Sequence, residues 1–146
     1  MRPSKFFTGE QKARILEAIR TAESNTSGEI RVHVEKICLG EPTDRAAYLF
    51  EKLKMHKTKL RNGVLFYMSY EDHKIAILGD AGINSVVPEN FWDSTLEMIS
   101  ARFREGDFTG GLEAGIIDTG LHLKNHFPHH PDDVNELADE ISFGDK

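Results

Sequence analysis

Hydrophobic and polar positions change period several times along this chain, and each change predicts an element. Apolar residues run almost unbroken from Val64 to Met68 and again from Ile75 to Leu78, parted by Tyr70-Glu71-Asp72-His73. Two short apolar runs so closely spaced predict a β-hairpin buried on both faces, at the centre of a sheet. Upstream, Glu29 to Glu35 alternates strictly. Ile30, Val32 and Val34 point one way, and Glu29, Arg31, His33 and Glu35 the other. That pattern predicts a strand with one dry face, near a sheet edge.

Helical spacing fills the intervals. Ile15, Leu16, Ile19 and Ala22 share a face over residues 9–24, behind a capping-box pair, Thr8 and Gln11, with Phe7 as the staple residue. The first seven residues read as an arm. Ala46, Phe50 and Leu53 mark a second helix, with Thr43 or Asp44 as its N-cap. Trp92, Leu96, Ile99 and Phe103 mark a third, from Pro88 to Arg104. Leu112, Ile116, Leu123 and Phe127 mark a fourth, over residues 110–125, capped by Thr109 or Asp107.

Strand, helix, strand in this order predicts a right-handed crossover, with the first two strands parallel and the hairpin's second strand antiparallel to them. The sum is a three-layer α/β/α sandwich around a small mixed sheet. Residues 1–127 form the domain and 128–146 a tail. That tail is either a short acidic helix over Asp132–Ile141 or a mobile segment.

Composition narrows the function classes. The net charge is −6, and Pro131–Lys146 holds six acids against one lysine, so the rest of the chain is near neutral. Without a basic face, nucleic-acid binding is not expected. A lone cysteine, Cys38, excludes an internal disulfide and cysteine-rich zinc modules. No apolar run approaches the length of a membrane span and no signal-type segment opens the chain, so a cytoplasmic monomer without membrane insertion is expected.

The candidate chemistry lies in acids at element ends. The topology sends Glu35, Asp44, the tip Glu71-Asp72-His73 and Asp107 to the carboxyl end of the parallel strands, where α/β clefts form. Asp44, Glu71, Asp72 and Asp107 are the candidate ligands for a divalent cation, calcium before magnesium, since hard cations take clustered oxygens. The alternative is that Asp44 and Asp107 cap helices and Glu71-Asp72 serves the turn. A second candidate set, Asp80, Asn84 and Glu89, lies at the opposite end, where tight-turn chemistry is the alternative. His122 and His126 have the spacing to clip a transition metal, or simply form a polar helix face. Arg45 with the Gly110-Gly111 amides could meet a phosphate, or Arg45 could solvate a surface. Cys38 has no activating neighbour in sequence and reads as a buried or incidental thiol.

Four segments, Thr26–Val34, Asn62–Phe66, Asp72–Gly79 and Phe103–Leu112, taken in order, resemble the TPM domain family over roughly residues 6–127. The resemblance implies an α/β/α sandwich and, in some members, a divalent cation, calcium foremost. It also implies metal-assisted phosphatase activity on phosphomonoesters and, for bacterial relatives, a LemA-type or other envelope protein as partner. A binding and assembly module is the first expectation, because phosphoryl transfer needs convergent positive charge that the sequence does not display.

Overall fold

The computed structural model describes residues 1–130 and 141–145. Its elements in chain order are α1 (Pro3–Phe6), α2 (Gly9–Glu23), β1 (Glu29–Glu35), α3 (Pro42–Lys52), β2 (Gly63–Ser69), β3 (Lys74–Gly79), α4 (Ala81–Asn84), α5 (Asp93–Arg104), α6 (Phe108–Leu123) and β4 (Ile141–Phe143).

The sheet order is β3-β2-β1-β4. β1 runs parallel to β2, with Val32 opposite Phe66, and the hairpin pairs β2 with β3 antiparallel, with Phe66 opposite Ile77. On one face Ile30, Val32 and Val34 join Val64, Phe66 and Met68 beneath α2, α5 and α6. On the other, Leu65, Tyr67 and Ala76 meet Ala46, Leu49 and Phe50 of α3. This is the three-layer sandwich.

Two placements differ from the sequence reading. The hairpin is not central, because β3 is an outer strand and the inner pair is β2 with β1. Nor is β1 at the edge. Ile141–Phe143 adds beside it in parallel, with Val32 opposite Ile141 and Val34 opposite Phe143. All seven residues of β1 are therefore buried, including Glu29, Arg31, His33 and Glu35. Alternation suggested a wet face; His33 and Glu35 instead lie beside Arg45 and Leu49 of α3, next to the final strand. Ile141 closes no helix but opens β4, so residues 141–145 belong to the domain. The rest of the proposed acidic helix, 132–140, lies outside the described residues.

Local signals explain most boundaries. Thr8 and Gln11 form the full capping box at the start of α2. Residues 3–6 of the supposed arm form a helical turn beginning at Pro3, a residue suited to a first helical position. At α3 the same preference wins: Glu41 is the N-cap and Pro42 the first helical residue, so neither Thr43 nor Asp44 caps it. Asp107 caps α6, accepting from the Gly110 N–H at 2.9 Å. Pro88 does not open α5, since turns through Phe91 and Asp93 intervene. α4 is one turn, capped by Asp80.

Ending the chain at residue 140 removes β4 and should cost about 2 kcal/mol, from half-burial of Ile141 and Phe143. Thermal melts should show a drop of roughly 5 °C. A truncated chain that melts with the full-length protein would show that β4 does not close the sheet.

Candidate functional site

The carboxyl-terminal rim holds the first set of predicted ligands but does not draw them together. Asp44 is exposed in the first turn of α3. Glu71 pairs with Lys36 at 3.5 Å. Asp72 accepts from the Ser69 hydroxyl and from the Cys38 N–H at 3.0 Å. Burial opposes ionisation of Asp72, yet these hydrogen bonds outweigh it and hold the carboxyl below its ordinary range. Asp107 serves the Gly110 amide and stands 3.5 Å from Arg102.

Aromatic rings fill the corner between the hairpin tip and Asp107. Phe6 stacks on Tyr70 at 4.2 Å and meets Phe108 edge-on at 5.3 Å, while His73 meets Phe108 at 5.2 Å. Among the described residues no group of three or more His, Cys, Asp or Glu side chains stands where it could share an ion. Asp107 does line a cavity of 140 Å³ together with Phe6, Phe7, Gln11 and Thr109.

At the opposite end, Asp80 receives a two-pronged pair from Arg61, both contacts at 2.8 Å, and accepts from its neighbour's N–H, Ala81, at 2.7 Å. Asn84 donates to the Gly79 carbonyl at 3.0 Å. Both line an open cleft of 440 Å³ with Phe50, Glu51 and His56, and Glu89 is exposed outside that lining. The Arg61 guanidinium offsets the charge that the second cation set required. His122 pairs with Asp118 at 3.2 Å, and the His122 and His126 rings both lie edge-on to Phe91.

The constellation that the sequence reading left unassembled is centred on Glu35. Its carboxylate accepts from Arg45 at 3.0 and 2.6 Å and from the Tyr67 hydroxyl at 2.7 Å. His33 Nε2 lies 3.3 Å away and Nδ1 lies 2.7 Å from the Ser142 hydroxyl. Nε2 is the ring nitrogen placed to donate to the carboxylate, and Nδ1 is the one that meets the Ser142 hydroxyl. Burial alone would push Glu35 up, but hydrogen bonds from His33, Arg45 and Tyr67, with the Arg45 charge, hold it far below the usual carboxylate range. Burial pushes the Tyr67 phenol up, and hydrogen bonds to Cys38 and Glu35 add to it. Near neutral pH the pair is thus fixed as carboxylate and phenol. Both shifts move the two groups away from the neutral range in which a general acid or base works best.

Arg45 is committed to Glu35, and the Gly110 N–H to Asp107, so neither is held in reserve for a phosphate. Glu35 and Arg45 are ten residues apart in sequence, across a loop. Only the parallel placement of β1 and the entry angle of α3 bring them within hydrogen-bonding distance.

Comparison with known proteins agrees with this architecture. The NMR structure of BA42 protein from the psychrophilic bacterium Bizionia argentinensis is 48% identical, with a TM-score of 0.90 over 96% of this chain and 97% of that one. The N-terminal domain of a P. gingivalis protein matches at 17% identity and TM-score 0.69, over 87% of this chain and 83% of that one. The N-terminal domain of cg2496 protein from Corynebacterium glutamicum matches at 11% and 0.63, over 93% and 80%. The latter two likenesses concern the fold. No curated protein matches the chain. The TPM domain profile matches residues 1–120, most of the chain's length, and the chain belongs to the TPM domain family.

Proposed function

We propose that this TPM domain is a binding and assembly module, and that a divalent cation, calcium before magnesium, engages its carboxyl-terminal rim at Asp107. The observation that carries this reading is the lining of the 140 Å³ cavity, where Thr109 flanks Asp107 and the Gln11 oxygen, which also accepts from the Thr8 N–H at 2.9 Å, stands nearby. Oxygen donors suit a hard cation, and one carboxylate completed by neutral oxygens and water belongs at the weak end of calcium sites, about 10⁻⁴–10⁻³ M. Asp44, Glu71 and Asp72 do not line that cavity.

The phosphatase alternative has less support. Its catalytic set would need cations aimed at a phosphoryl group, whereas Arg45 and Arg61 are both paired with carboxylates.

Calcium and magnesium titrations followed by amide shifts test the proposal. Calcium should move signals from residues 8–11 and 106–111, and Asp107→Asn should abolish the movement while Asp72→Asn leaves it intact. Absence of any shift at millimolar calcium would overturn the cation reading. Release of phosphate from an aryl phosphate by wild type, lost in Asp107→Asn, would favour the hydrolase instead.

A further inference from the structure

A net charge of −6 conceals one strongly basic stretch, Lys52–Arg61, which holds four lysines and an arginine with no acid among them. It links α3 to β2, and Gly63 lies opposite Glu29, so it stands at the amino-terminal ends of the parallel strands, away from Asp107. Its backbone is held in place. The Met55 N–H donates to the Phe50 carbonyl at 3.0 Å, the Lys57 N–H to the Lys54 carbonyl at 3.2 Å, and the Asn62 N–H to the Thr58 hydroxyl at 3.2 Å. Met55 and Thr58 are buried, while Lys54, Lys57 and Lys59 face solvent. Lys54 has φ 58° and Arg61 φ 51°, a left-handed conformation that disfavours side chains and collects at functional sites. Asp80 accounts for Arg61. Lys54 and Lys57 have no carboxylate partner among the described residues, so their charge is not neutralised within the fold.

Large apolar side chains are exposed among these cations. Leu60, between Lys59 and Arg61, is 54% exposed, and Val86, just beyond α4, is 50% exposed. The Gly82 N–H donates to the Arg61 carbonyl at 2.8 Å, which fastens α4 to the same end. Tyr48 of α3 is exposed too, with Arg45 5.2 Å and Lys52 5.8 Å from its ring centre. We propose that this end of the domain is a peripheral docking surface for an anionic lipid bilayer. The lysine ammoniums meet headgroup phosphates, Leu60 enters the boundary between headgroups and acyl chains, and Tyr48 has the amphipathic ring that favours that depth. Basic side chains near a negative membrane attract it one by one, and a buried apolar side chain adds a contribution that salt does not screen. The combination selects among polyanions. A nucleic-acid duplex satisfies the lysines and leaves Leu60 and Val86 in water. An acidic protein segment meets only the lysines that match its spacing. A bilayer presents charge and apolar depth together across α3, the basic loop and α4.

Vesicle flotation in a chelator tests this independently of the cation site. The protein should float with vesicles of phosphatidylglycerol and phosphatidylcholine in equal parts, and not with phosphatidylcholine alone. Raising the salt concentration should weaken binding. Lys54→Gln combined with Lys57→Gln should weaken it about 25-fold, at about fivefold per lysine, and flatten its salt dependence. Leu60→Ser should weaken it about fivefold and leave the salt dependence unchanged. These side chains are exposed, so the variants should melt with wild type, which separates lost binding from lost folding. No flotation with anionic vesicles, equal flotation with neutral ones, or full binding by the lysine double variant would overturn the proposal. Leu60→Ser floating as wild type does, or tighter binding to a DNA duplex or to polyglutamate, would assign the surface to another polyanion and overturn the lipid.

Discussion

Replacing Glu35 with alanine should lower the melting temperature by roughly 10 °C, the largest effect expected from any single polar side chain here. Removing it strips Arg45, Tyr67 and His33 of a shared acceptor at once. Truncating one member of a buried pair costs about 3–5 kcal/mol, and the Arg45 side chain is 38% exposed, so solvent screening places this case near the lower end. Glu35→Gln, which keeps an acceptor, should cost about half as much.

The pH profile separates charge from shape. The folded-state pKa of Glu35 is depressed, so its contribution is complete above the unfolded value, about 4.3, and is lost as pH falls towards the folded value. Below about pH 5 wild type should lose stability by up to about 1.4 kcal/mol per pH unit from this group, and Glu35→Gln should lack that component. Denaturant melts at stepped pH would show it. Parallel profiles for the two proteins would mean that the carboxylate is not held by its partners.

Gly120→Val should destabilise the fold by about 3 kcal/mol, again near 10 °C, through a different mechanism. A Cβ at residue 120 would lie 2.7 Å from the Ala22 Cα and 2.8 Å from the Ala22 carbonyl oxygen. Backbone cannot rotate away as a side chain can, so α2 and α6 must separate and the layer over Ile30 and Val32 loosens. Gly9→Ala is the control: a Cβ there meets nothing within 4 Å, and the melt should not fall. A Gly120→Val protein that melts within a couple of degrees of wild type would show that the two helices do not approach so closely.

What could be read from the sequence, and what could not, divides along physical lines. Periodicity and capping are local. They located α2, strands β1 and β2, the hairpin, and Asp107 as one of two candidate caps with Thr109, because each depends on residues a few positions apart, while the parallel pairing followed from the handedness of the crossover. Burial is not local. Strict alternation in Glu29–Glu35 usually marks a half-wet strand, but pairing along all of β2, the placement of α3 and the arrival of Ile141–Phe143 beside Val32–Val34, more than a hundred residues on, leave β1 inside the sheet. The same arrival makes His33 a partner of Ser142. Arg45 and Glu35 were each visible at an element end, but their pairing depends on the crossover geometry. The rim acids failed to converge for a related reason. Phe6, Tyr70 and Phe108 come from three separate segments, and their stacking takes the space where the carboxylates would have met.

The hydrogen bonds from Ser4 to Asp145 fasten the beginning of the chain to its end. Loosening either segment would therefore loosen the other, so α1 and the outer strand β4 come free together.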